Sequence, residues 1–176
     1  MPTPRLAVIC LLGLIAATLS AGCASGPPDV SREVDVGLKN DVAYSATVDL
    51  VGLDRGEVAA WSDLDLDAYW AGQAELPQDR QAMIEAGRLV PVSLTSERRR
   101  RIISADDPVW KRWSVEGVDT LVAVVDLPSR LGDGEERPGE QDPRRRIFVL
   151  DRRDDRAAGE RVTLRAGQGG FDVLAR

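Results

Sequence analysis

The chain has 176 residues, 43% of them hydrophobic, which is enough for one domain with a sizeable core. Its 23 basic and 29 acidic side chains give a net charge of −6, and an acidic balance argues against general binding to nucleic acid, whose phosphates call for a basic face. There is no histidine, which removes Ser-His-Asp and Cys-His chemistry, the usual neutral-pH base and most zinc sites. Carboxylate-, lysine- or tyrosine-based catalysis stays open.

Residues 1–22 read as a signal peptide. Arg5 makes a positive start, and Leu6 to Leu19 is almost wholly apolar and uncharged. A transmembrane helix needs roughly 20 residues, so this stretch is too short to span and suits a signal h-region. The run Leu19-Ser20-Ala21-Gly22-Cys23 resembles the lipobox of bacterial lipoproteins, with Ser20 where leucine is usual. That resemblance implies thioether lipidation of Cys23, cleavage before it, and acylation of its new amino group by a fatty acid such as palmitate. A thiol is the soft nucleophile this transfer needs. The alternative is an ordinary secretory signal with a chance cysteine. Ala24 follows Cys23 where an aspartate would favour inner-membrane retention in such lipoproteins, so the implied destination is the outer membrane, facing the periplasm. Residues 23–29, with Gly26-Pro27-Pro28, read as a lipidated tether, and 30–176 as a single domain. Cys10 leaves with the signal, so the mature chain has no disulfide and no thiol nucleophile. Losing Arg5 takes its charge to −7.

Val34, Val36 and Leu38 alternate with charged or small residues, which predicts a half-buried strand. A second strand is expected near Ala43–Leu53, with Ala46, Val48 and Leu50 on one face and Ser45, Thr47 and Asp49 on the other. Ser62 or Asp63 is placed to cap a short helix through Tyr69-Trp70-Ala71. Pro77 suits the start of another helix, running to Ala86 with Gly87 as its stop. Val90, Val92 and Leu94 alternate again, and Pro91 makes that strand an edge or a bulge. Arg99–Ser104 reads as a strand. Thr120–Leu127 carries an unbroken apolar run, which fits burial on both faces. Pro128–Pro143 is polar and rich in Gly and Pro, and reads as a mobile loop. Ile147–Leu150 resumes a strand, and Val162–Leu164 with Phe171–Val173 form a hairpin around Gly167–Gly170. Seven or eight short strands and one helical insertion predict a mainly β protein, an immunoglobulin-like sandwich of two antiparallel sheets.

Asp63, Asp65 and Asp67 look like the opening of a calcium loop. Ala68 and Ala74 stand where that loop needs Gly and Glu, so solvent-facing carboxylates at a helix start are favoured and no metal is expected. Arg98, Arg99, Arg100 and Arg101 form the sharpest charge run. They suit docking of an acidic partner or lipid head groups, or an edge strand guarded against aggregation, and the second reading is favoured. Arg144–Arg146 and Arg152-Arg153 are read alike. Of the four tryptophans, Trp61 and Trp70 are expected to anchor the insertion and Trp110 or Trp113 to cap a sheet, with one of the four exposed for function. Asp106-Asp107 lacks the flanking geometry of a glycosidase pair. No catalytic residue and no cofactor is predicted.

Ser45–Leu53 as an early strand, Trp61–Trp70 as an aromatic helical insert and Leu121–Leu127 as a long late strand together resemble the outer-membrane lipoproteins of type VI secretion systems. The resemblance spans roughly residues 34–150. It implies a transthyretin-like β-sandwich and a structural function, in which a lipid-anchored protein tethers a periplasmic domain of an inner-membrane protein through loops at one end of the sandwich. The competing classes are a periplasmic ligand-binding or envelope-maintenance lipoprotein and a carboxylate-based hydrolase.

Overall fold

The computed structural model describes residues 29–40, 42–76, 78–127, 142–150 and 161–175. The signal peptide, Cys23, Gly26-Pro27-Pro28, residues 128–141 of the expected loop and Arg152-Arg153 lie outside the described residues. The elements run β1 (Val34–Leu38), β2 (Ala46–Leu53), α1 (Val58–Ser62), α2 (Leu66–Trp70), α3 (Arg80–Ala86), β3 (Leu89–Leu94), β4 (Arg100–Ile103), α4 (Pro108–Val115), β5 (Thr120–Asp126), β6 (Arg145–Val149), β7 (Val162–Gly167) and β8 (Gly170–Ala175).

The fold is a β-sandwich. One sheet has the order β4-β1-β7-β8 and the other β3-β2-β5-β6. Alternation sets the inner faces: Val34, Val36, Leu164 and Ala166 from the first sheet meet Val48, Leu50, Leu121, Ala123 and Val125 from the second. Each such aliphatic side chain contributes roughly 1.5–3 kcal/mol by leaving water. The strand pairs are antiparallel as expected, except in the first sheet, where β1 and β7 pair in parallel, Val34 opposite Val162 and Leu38 opposite Ala166.

The second sheet is buried on both faces because the insertion between β2 and β3 roofs its outer side. Val51, Leu53, Leu89, Val122 and Val124 pack there against Trp61, Leu64, Leu66, Tyr69 and Met83. This is why the apolar run of β5 is unbroken. Pro91 sits in β3, an edge strand, where its missing N–H faces no neighbour.

The insertion holds three short helices rather than two. Ser62 ends α1, and Asp65, not Ser62 or Asp63, caps α2, accepting from the backbone N–H of Asp67 (2.8 Å) and Ala68 (3.2 Å). The helix expected from Pro77 begins at Arg80 instead. Asp79 caps it by accepting from the N–H of Ala82 at 2.7 Å, and Gly87 stops it with φ at +71°. Helix α4 is an addition to the expected elements. Asp107 accepts from the N–H of Val109 at 3.0 Å, Pro108 opens the first turn, and the helix buries Trp110 and Trp113. The Trp113 ring lies so close to Gly52 that a Cβ there would come within 2.7 Å of it, so β2 needs a glycine at that point.

Candidate functional site

Strand directions give the sandwich two ends. Described chain begins at Asp29 and feeds directly into β1. At this near end Arg32 donates to the Leu150 carbonyl (3.1 Å), and Leu150 N–H donates to that of Asp119 (2.7 Å). At the far end lie the β1–β2 and β3–β4 connections and the β7–β8 turn. There Arg99 donates to the carbonyls of Val42 (3.0 Å) and Lys39, and the Tyr44 hydroxyl to that of Gly167 (3.2 Å). The chain also leaves β5 and re-enters β6 at this end, where Phe171 N–H donates to the Pro143 carbonyl at 2.8 Å.

The outer face of the β4-β1-β7-β8 sheet is polar and centred on Asp35, which is only 2% exposed. This corrects the half-buried reading of β1, all five residues of which are buried. Arg100, on β4, clasps the carboxylate with Nε at 2.8 Å and Nη2 at 2.7 Å. Arg165, on β7, adds Nη1 at 3.2 Å and Nη2 at 2.9 Å, and Arg161 approaches at 3.4 Å while pairing with Glu33 at 2.7 Å. Burial pushes the Asp35 carboxyl up, but the guanidinium hydrogen bonds of Arg100 and Arg165 and their charges reverse this and hold it at about 2. Gly37 stands opposite both Arg100 and Arg165 in register. A Cβ there would lie 3.2 Å from the Arg99 carbonyl oxygen and 3.4 Å from Arg165 Nη1, so the glycine lets the Arg165 side chain lie across β1 to reach Asp35.

The run Arg98–Arg101 therefore divides. Arg99 is tied to backbone carbonyls and Arg100 to Asp35. Arg98 and Arg101 are exposed, and among the described residues neither guanidinium has a hydrogen-bond or ion-pair partner. β4 is an edge strand, which agrees with the guarding role favoured from the sequence. Arg144–Arg146, grouped with this run by sequence, are internal pins. Arg144 pairs with Asp142 (2.9 Å) and Asp67 (2.8 Å), buried Arg145 donates to the carbonyls of Trp61 (2.5 Å) and Leu64 (3.0 Å), and Arg146 to that of Phe171 (2.7 Å).

A second buried carboxylate, Asp49 on β2, lies under the insertion and is 0% exposed. Arg80 clasps it with Nε at 2.6 Å and Nη2 at 2.8 Å, and the Tyr69 hydroxyl donates to it at 2.6 Å. Burial and the adjacent Asp49 charge push the Tyr69 hydroxyl well above the usual tyrosine range. The Arg80 guanidinium also lies 5.6 Å from the centre of the Trp70 ring.

The tryptophans are structural. Trp61, Trp110 and Trp113 are buried and Trp70 is half-buried, so the aromatic expected on the surface is not there. A hollow of about 520 Å³ lies beside α4 and is lined in part by Asp29, Asp106 and Asp107. Asp29 accepts from the Ser31 hydroxyl at 2.6 Å, and Asp107 is the helix cap. A hydrogen bond from Ser104 lowers the Asp106 carboxyl, the opposite of what a general acid needs. Asp67 pairs with Arg144, and no group of three metal-ligating side chains occurs among the described residues.

Sequence reading missed Asp35 and Asp49 as buried anchors. The available signal was arginines on the neighbouring strands at outward-facing positions, Arg100 and Arg165, but pairing register is needed to see it.

No protein-family profile and no curated protein sequence matches the chain. Solved structures similar to the chain include two secretion-system lipoproteins. One is the crystal structure of the T6SS lipoprotein TssJ1 from Pseudomonas aeruginosa, with a TM-score of 0.41 and 15% identity over 85% of this chain and 98% of that one. The other is Serratia marcescens Lip, a membrane-bound component of the Type VI Secretion System, with a TM-score of 0.47 and 11% identity over 85% and 98%.

Proposed function

We propose that the protein is a lipid-anchored envelope lipoprotein that works by binding another protein, as a structural tether in a secretion complex of the type VI kind. The observation that carries this reading is the short distance between anchor and fold. Cys23, in its lipobox-like setting, precedes Asp29 by six residues, at most about 20 Å of extended chain. A domain held that close to a bilayer and entered at one end of its sandwich offers its far end to partners. With Ala24 after the cysteine, the anchor sits in the outer membrane and the domain faces the periplasm. Several acyl chains hold it stably, since each buried methylene contributes about 0.8 kcal/mol. Binding rather than turnover fits a chain with no histidine and no mature thiol.

Two measurements test this. Labelling cells with a fatty-acid analogue should mark the parent and not Cys23→Ser; equal label in both removes the anchor. Crosslinking in cells followed by mass spectrometry should recover an inner-membrane protein with a periplasmic domain. Hydrolysis of a cell-wall substrate, abolished by a single carboxylate replacement, would replace binding with an enzymatic role.

A further inference from the structure

We infer that the outer face of the β4-β1-β7-β8 sheet is a docking surface for an extended acidic segment of a partner protein. The inference rests on the protein-binding reading and names its surface and its chemistry. The buried carboxylate of Asp49 is held by one arginine, Arg80, and one tyrosine hydroxyl. Asp35 has three arginines: Arg100, Arg165 and Arg161. With Glu33 counted, the cluster still carries an excess of positive charge on a chain whose net charge is −6.

The clasp fixes these guanidiniums. Each has five N–H donors in a rigid fork, and Asp35 occupies two on Arg100 and two on Arg165. The Arg100 side chain is 51% exposed and that of Arg161 43%, so donors already held in place remain open to water. Such preorganised forks match carboxylates in pairs. Arg100 on β4 and Arg161 beside β7 hold open donors on either side of Asp35. Alternate side chains of an extended chain stand on one face, so a segment with carboxylates at alternate positions presents them together. Exposed Arg98 lies two residues before Arg100, whereas Arg101, opposite Val36 in register, stands on the other face of β4. Arg98 lies just before β4 at the far end, away from the side where an N-terminal lipid would enter. This favours an acidic protein over the head groups of the anchoring membrane.

The test uses the full-length protein in detergent micelles and a fluorescein-labelled peptide of six Glu-Thr repeats. Anisotropy should show binding that weakens as salt rises. Arg100→Gln with Arg161→Gln, which leaves Asp35 clasped by Arg165, should lower the affinity at least tenfold with little change in melting temperature. Arg101→Glu, on the other face of β4, and Lys111→Glu with Arg112→Glu, on α4, should leave the affinity unchanged. Equal binding by the Arg100/Arg161 variant, or an equal loss in the Arg101 or α4 variant, overturns the inference. Displacement of the peptide by millimolar glycerol phosphate also overturns it and points to lipid head groups. None of these outcomes bears on the Cys23 label or on in-cell crosslinking, which report the tether wherever the partner docks.

Discussion

Each sheet carries a buried aspartate on its outer face, gripped by an arginine through Nε and Nη2 together: Asp35 with Arg100 and Asp49 with Arg80. The chemistry is the same and the surroundings are opposite. Asp49 is roofed by helices, accepts a tyrosine hydroxyl and shares its arginine with an indole ring. Asp35 is covered by arginines alone, and those face water. The roofed pair joins two layers of the protein. The open one spends its surplus charge outward, so one motif serves cohesion on one side and leaves a surface available on the other.

The contrast is tested most severely at the roof. Trp61→Ala should destabilise by about 3–5 kcal/mol, the range for deleting a buried tryptophan, in denaturant unfolding. Ile102→Ala, on the open face where Ile102 is 42% exposed, should hardly move the midpoint. If both variants lose equally, the two faces are not energetically distinct.

Next is the clasp itself. Arg80→Gln leaves Asp49 charged and sealed from water, at a cost on the order of 3 kcal/mol. Arg100→Gln leaves Asp35 with Arg165 and Arg161, and its midpoint should shift by only a small fraction of that.

A smaller effect separates the two in acid. Asp35 is held at about 2 against an ordinary 3.8, so the unfolded chain takes up the proton first as pH falls. The stabilisation from Asp35 is complete above pH 4 and is lost between about 4 and 2. Parent and Asp35→Asn should therefore differ in melting temperature at neutral pH and converge near pH 2. A constant gap across that window would contradict the assigned cause.

The smallest signal is optical. The chain has two tyrosines. Tyr69 keeps its proton in the fold beyond the usual range, so absorbance near 295 nm in alkali should rise by the signal of this tyrosine when the protein unfolds. Because the folded value is the raised one, the contribution of Tyr69 is full at neutral pH and falls as pH climbs past the ordinary tyrosine value.

The sandwich was legible because alternation on β2, β3 and β7 and the unbroken run of β5 follow from burial alone. The edge position of β3 followed from Pro91. Helix α4 was missed although Asp107-Pro108 is a cap followed by a first-turn proline, and Trp110 and Trp113 share a face three residues apart; their bulk suggested irregular chain. The parallel pairing of β1 with β7 left no local trace, since a two-residue period is the same for either direction. Alternation predicts that only two of Arg98–Arg101 share a side of a strand, but their partners came from the register: Arg99 reaches the carbonyls of Lys39 and Val42, and Arg100 the buried Asp35. A run of identical side chains carries no information about which of them has a partner.

The parallel β1–β7 pairing also sets a schedule. β1 is the first strand to be made and lies inside its sheet, yet its neighbour on one side arrives late: Arg165 and the Asp35 it clasps are 130 residues apart in sequence. Local hairpins such as β7–β8 close quickly, but this ladder waits for nearly the whole chain and bears the loop-closure entropy of that span before any contact returns it. Until then the apolar side of β1 and its unpaired edge stay open to other chains. A chain cut before Val162 is thus more than a protein missing its last hairpin, because its first strand has lost a neighbour along its full length. Closure of this sheet waits until β7 has been made, and the open strand has to be kept from other chains until then.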